Sequence, residues 1–171
     1  HGSAVTSPAL DAEGRFVQGD ERGSATGRYA IVFNGEIYNY HDLRAQLEAE
    51  GWGFATQSDT EVLLVAYLAW GRACLTRLRG MFAFAIWDAE RRELFCARDF
   101  FGIKPFYYAF CGSRFIFASE AKCILEHPAY ERELNEEALE AYLCFQFSAL
   151  PETFFKGIFK LPPAHCMTVR A

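Results

Sequence analysis

Met81-Phe82-Ala83-Phe84-Ala85-Ile86-Trp87, residues 81–87, is apolar at every position. Successive side chains of a β-strand point to opposite faces, so a run without polar alternation must bury both faces. The stretch therefore predicts a strand held between two layers, not a sheet with one wet side. Asp88 to Arg92 supplies a turn and Leu94-Phe95-Cys96-Ala97 returns as the next strand, which makes a hairpin.

Upstream, Ser58-Asp59-Thr60-Glu61 has the pattern of a capping box ahead of Val62, Leu63, Val65, Ala66 and Leu68, with Gly71 as the stop. Asn39 is placed to cap a helix over 41–50, where Leu43 and Leu47 share a face and Gly51 ends it. Before that, Tyr29-Ala30-Ile31-Val32-Phe33 predicts a buried strand closed by Asn34-Gly35. Residues 1–27 are small, polar and Gly-rich and predict an irregular lead-in; the lack of an initial Met points to an internal or processed start.

Downstream, a second hairpin is expected from Pro105–Phe110, a Cys111-Gly112-Ser113 turn and Arg114–Ala118. A short helix follows at Ser119–Leu125, then one at 136–145 with Asn135 as cap and Leu139, Tyr142 and Leu143 on one face. Pro151, Pro162 and Pro163 interrupt the tail before a strand at His165–Val169. Helices bracketing a strand-rich middle give an α+β class, with at least one sheet covered on both sides.

The 171 residues are enough for one domain, and 51% hydrophobic with 16% aromatic residues excludes a disordered chain. A net charge of −5 with basic residues scattered, Arg91-Arg92 being the densest pair, argues against nucleic acid as a partner. No apolar run approaches the roughly 20 residues of a membrane span and no signal peptide is visible, so a cytoplasmic protein without a membrane partner is expected. Cys74, Cys96, Cys111, Cys123, Cys144 and Cys166 form no CxxC pair, which argues against zinc and disulfides and for reduced core thiols.

The common metal, phosphate and hydrolase signatures are absent, and His1, His41, His127 and His165 stand apart from one another. Asn34-Gly35 can be taken in two ways. A side-chain amide beside an unhindered backbone N–H offers two donors to a developing oxyanion, whereas Asn-Gly is also a common turn dipeptide. Asp59 likewise either holds a substrate ammonium or merely complements a helix dipole.

Seven words occur in order: Phe-Asn-Gly-Glu-Ile-Tyr-Asn (33–39), Ser-Asp-Thr-Glu (58–61), Gly-Met-Phe-Ala-Phe-Ala-Ile-Trp-Asp (80–88), Ala-Arg-Asp (97–99), Phe-Gly-Ile-Lys-Pro (101–105), Ser-Glu-Ala-Lys (119–122) and Lys-Leu-Pro-Pro (160–163). Together they resemble the class II, N-terminal-nucleophile glutamine amidotransferase domain of glutamine-hydrolysing asparagine synthetase, from about residue 28 to residue 171. The resemblance implies a four-layer α-β-β-α sandwich, here lacking its first strands. In such domains an N-terminal cysteine attacks the glutamine side-chain amide, its own α-amine acts as base, and ammonia leaves from a glutamyl thioester. By the same resemblance Asn34 and Gly35 form the oxyanion hole, and Glu36 and Asp59 hold glutamine, Asp59 through the α-ammonium.

The chain departs from the family in specific places. The opening Met-Cys-Gly-Ile and the following arginine segment are not in residues 1–171, and Phe100 stands where the family carries arginine. Loss of a nucleophile costs on the order of 10⁶ in rate, so these residues alone are expected to have no glutaminase activity. The resemblance implies no cofactor in this domain, ATP and magnesium in a synthetase domain not included here, and a homodimer. Three readings of the parent stay open: an asparagine synthetase, a non-catalytic amidotransferase-like module, or a related amide-forming enzyme of the β-lactam or lasso-peptide kind. An uncovered sheet edge is expected where the first strands are missing.

Overall fold

The computed structural model describes residues 9–10, 16–17, 28–145 and 151–171. Most of the expected irregular lead-in lies outside the described residues. Its described parts are two short strands, β1 (Ala9–Leu10) and β2 (Phe16–Val17). They extend a six-stranded sheet in the order β2-β1-β3-β4-β5-β9, with β3 at Tyr29–Ile37, β4 at Gly80–Asp88, β5 at Glu93–Arg98 and β9 at Cys166–Arg170. The second sheet has three strands in the order β7-β6-β8, from Tyr107–Cys111 (β6), Arg114–Ala118 (β7) and Ile158–Lys160 (β8).

β4 has the two-faced character its sequence predicts. Phe82, Phe84 and Ile86 pack on one side with Leu63 and Leu64 of α2 (Asp59–Trp70) and Leu43 and Leu47 of α1 (Tyr40–Ala49). Phe84 also meets Phe95 of β5, which stacks on Tyr67 of α2 with centroids 5.0 Å apart. Ala83 and Ala85 face the second sheet, where Phe106, Tyr108, Phe115 and Phe117 fill the space that the small side chains leave. Behind the second sheet, Ala121, Ile124 and Leu125 of α3 (Ala121–Leu125) close a third cluster with Ala109 and Ile158. The order of layers is helix, sheet, sheet, helix.

Both helix starts agree with the sequence, with changes of detail. Ser58 Oγ accepts from Glu61 N at 3.2 Å, which is half of a capping box. Glu61 does not return the bond to Ser58. Its fully buried carboxylate accepts from Ala55 N and Thr56 N, each at 2.6 Å, and from the Thr56 hydroxyl, fixing the loop before α2. Asn39 is the N-cap residue of α1, but its side chain makes no capping bond; its amide binds Arg77 O and Arg79 N, tying α1 to the entry of β4.

Three expectations need correction. Asn34-Gly35 is not a turn: β3 runs straight through it, paired with β4 from Tyr29↔Asp88 to Ile37↔Gly80. In α4 (Glu136–Phe145), Ala138 is buried whereas Leu139 and Leu143 are exposed; the Tyr142 side chain lies outside the described residues. The cysteines are not uniformly core thiols: Cys74 and Cys96 are buried, but Cys111 and Cys166 are half-buried and Cys123 is exposed. Among the described residues, no helix is long and apolar enough to cross a membrane.

Candidate functional site

Asn34, Gly35 and Glu36 are consecutive on β3, and the pairing pattern decides where each points. Tyr38 N donates to Arg79 O and Ala89 N donates to Arg28 O, at the two ends of one unbroken register with β4. Antiparallel pairs alternate, so even-numbered residues of β3 turn their backbone groups toward β4 and odd-numbered ones turn them outward. The N–H groups of Gly35 and Ile37 therefore lie on the outer edge. β1 pairs only with Tyr29 and Ala30, so among the described residues that edge has no strand partner from Ile31 to Ile37. Among the described residues, β1 covers the start of this edge and no strand pairs with the rest.

Asp59 closes this edge. Its Oδ2 accepts from Ile37 N at 3.1 Å, which brings the first residue of α2 against the far end of β3. The carboxylate also sits at the positive end of α2. Along the same edge, Gly35 N–H and Ile37 N–H are separated by two residues, about 7 Å of strand. The span is comparable with that of an extended glutamine from its side-chain amide to its α-ammonium.

Gly35 has φ +149°, and a Cβ there would lie 2.1 Å from Met81 O. Gly80, its near neighbour on β4, is equally constrained, since a Cβ would lie 2.1 Å from Glu36 O. Two glycines thus let β3 and β4 approach where the candidate residues are carried.

Asn34 lies on the face toward the second sheet. With Val32, Ala83, Ala85, Phe106, Phe117 and Ser119 it lines a cleft of about 90 Å³ between the sheets. Its Nδ2 donates to Ser119 Oγ at 3.0 Å across 85 residues of sequence. The structure therefore brings Asn34, Gly35, Glu36 and Asp59 to one end of β3. Glu36 is exposed there. None of the described cleft residues is a cysteine, and burial pushes the thiols of Cys74 and Cys96 up to about 12.

Asp99 and Arg98, which enter the sequence reading only within the word Ala-Arg-Asp and without a role, hold the loop that follows β5. Asp99 is fully buried and accepts backbone N–H groups from Phe82 (3.3 Å), Phe101 (3.1 Å), Ile103 (2.9 Å) and Lys104 (2.9 Å). Burial alone would raise its pKa; the N–H groups of Lys104, Ile103, Phe82 and Phe101 outweigh this and hold it below the usual carboxylate value. Arg98 binds the carbonyls of Lys104 (2.6 Å), Gly102 (2.7 Å) and Leu161 (2.7 Å). The pair thereby ties loop 99–105 to the crossing from β8 to β9. Phe100, in the place of the family's arginine, is 74% exposed and meets Phe101 edge-on at 5.2 Å, while Asp99 takes its partners from the backbone.

Residues 22–171 match the glutamine amidotransferase domain family. Asparagine synthetase [glutamine-hydrolyzing] 3 of Bacillus subtilis is 47% identical over 141 residues, covering 82% of this chain and 23% of that protein. A putative asparagine synthetase [glutamine-hydrolyzing] of Mycobacterium bovis is 46% identical over 151 residues, covering 86% and 23%. Amidase chry2 of Gibberella zeae is 35% identical over 155 residues, covering 88% and 21%. This chain thus spans less than a quarter of the length of these curated relatives. Among solved structures, the glutamine phosphoribosylpyrophosphate amidotransferase of B. subtilis, complexed with ADP and GMP, superposes with a TM-score of 0.52 at 30% identity, covering 63% of this chain and 25% of that one. With its sandwich of layers, its β3 motif and a match over residues 22–171, the chain belongs to the glutamine amidotransferase domain family.

Proposed function

We propose that this chain forms the glutamine-binding and oxyanion-stabilising part of a site that releases ammonia from glutamine, and that the complete protein uses the ammonia to make asparagine. The carrying observation is the outer edge of β3, where the Gly35 N–H points outward and the Asp59 carboxylate is bound to Ile37 N, about one glutamine length away. Asp59 holds the α-ammonium, Glu36 supplies a further acceptor for the substrate, and Asn34 Nδ2 and Gly35 N–H receive the oxyanion.

In this reading a thiol adds to the side-chain amide carbon and the carbonyl π electrons move to oxygen. Collapse of the adduct breaks the C–N bond, ammonia leaves with the thiol proton, and water then cleaves the thioester to glutamate and free thiol. The resemblance assigns the nucleophile to an N-terminal cysteine, distinct from the six cysteines of residues 1–171. Hydrolysis needs no cofactor here; ATP and magnesium belong to amide formation in the synthetase domain. A cytoplasmic homodimer accompanies this reading on the resemblance alone. The likeness to amidase chry2 favours, as a second reading, the same ammonia-releasing site serving another ammonia acceptor.

The test is ammonia release from glutamine by the complete gene product, with and without aspartate and ATP. Asn34→Ala is expected to lower kcat by roughly 10² to 10³, the usual cost of one oxyanion donor. A complete product that leaves glutamine intact would overturn the proposal. Ammonia release with no asparagine formed would favour the second reading.

A further inference from the structure

Among the described residues, the Asn34 side chain has one hydrogen-bond partner, the Ser119 hydroxyl, at 3.0 Å. Ser119 is the first residue beyond β7, whose last residue, Ala118, pairs with Tyr107 of β6. The bond therefore runs from the central sheet to the second sheet and spans the mouth of the cleft that both residues line. We propose that Ser119 is a positioning residue: by accepting one Nδ2 hydrogen it holds the Asn34 amide in place with its second hydrogen available to a tetrahedral oxyanion. The inference rests on the proposed glutamine-hydrolysing function for its catalytic consequence, although the bond itself does not.

A primary amide carries two N–H donors on one side and an acceptor oxygen on the other. Rotated by half a turn, Asn34 would present Oδ1 to developing negative charge and turn a stabilising contact into a repulsive one. Val32, Ala83, Ala85, Phe106 and Phe117 around it are apolar and offer no side-chain hydrogen bond to fix the rotation. Ser119 supplies that bond, and because Ser119 is exposed, removing its hydroxyl leaves no buried group unpaired. Its loss should consequently reach the transition state and spare both the fold and substrate binding.

Two measurements test this. In the complete gene product, Ser119→Ala is expected to lower kcat for glutamine hydrolysis about tenfold with KM within about twofold, and Ser119→Thr to restore it. Unchanged kcat, or a loss confined to KM, would overturn the positioning role. In residues 1–171, the Asn34 side-chain ¹⁵N–¹H₂ resonances, assigned with Asn34→Asp, should shift in Ser119→Ala while the melting temperature stays within about 2 °C. Unshifted Asn34 resonances would overturn the inference whatever the enzyme assay shows. A complete product without glutaminase activity sinks the proposed function instead, and the resonance measurement then decides the Ser119–Asn34 bond alone.

Discussion

Asp59 Oδ2 accepts the Ile37 amide proton at 3.1 Å, joining the N-terminus of α2 to the end of β3 that carries Asn34, Gly35 and Glu36. One carboxylate can thus support the strand and still offer its other oxygen to a ligand. Asp59→Asn separates the roles, because its amide oxygen still accepts from Ile37 N but the charge is gone. Glutamine affinity of the complete product, measured by calorimetry, is expected to fall at least about tenfold, with a change in stability of under about 1 kcal/mol. Undiminished affinity would remove Asp59 from the binding site.

Gly35→Ala places a methyl group 2.1 Å from Met81 O, against backbone that cannot turn aside, at φ +149°. The variant is expected to lose about 3 kcal/mol or more in urea unfolding, or to remain insoluble. Gly112→Ala is the control: its φ of +61° lies in the left-handed region that an alanine can enter at a cost of about 1–2 kcal/mol, and no atom lies within 4 Å of the added carbon. A loss no greater than the control's would mean that β3 and β4 can separate there.

Acid should unfold the chain through Asp99 and Asp88. Burial alone would raise the Asp88 pKa, but the Arg28 guanidinium, at 3.2 and 3.0 Å, and the N–H groups of Arg91 and Glu90 hold it low. Both carboxylates titrate below their ordinary value when folded, so their contribution is complete above the unfolded pKa of about 4 and is lost as pH falls through the folded values. Urea midpoints taken from pH 7 down to pH 3 should be flat and then drop below about pH 4. Asp99→Asn should lower the plateau and weaken the drop; an acid limb as steep as wild type would show that Asp99 does not drive it.

Thiol titration sorts the cysteines by burial. Cys123 is exposed and should react with a disulfide reagent at once, whereas Cys74 and Cys96, with thiols pushed up to about 12, should react only on unfolding. Rapid labelling of Cys74 or Cys96, mapped by peptide mass, would contradict the packing of both cores.

Local patterns were readable where the information is local. Ser58 caps α2 because its hydroxyl reaches an N–H three residues on, and the apolar run 81–87 signals burial on both faces wherever the strand is placed. β8 leaves no signal in the sequence, because Ile158–Lys160 is too short to show a period. Leu139 and Leu143 share a helical stripe but are exposed, because helical spacing shows a stripe and not whether anything covers it.

Asn34-Gly35 marks the boundary between the two kinds of information. By itself the sequence determined the residues present, the helices and strands of 29–125, and the family words in which Asn34, Gly35, Glu36 and Asp59 stand. Dipeptide preference made Asn-Gly a turn, but the ladder with β4 runs through both residues and its summed hydrogen bonds outweigh a local tendency. Only the tertiary structure decided that Gly35 N–H turns away from β4, that Asp59 binds Ile37 N on the same edge, and that Ser119 meets Asn34 across 85 residues. Such contacts depend on register and layer spacing, which arise when the sheets pack and leave no periodic trace in the chain.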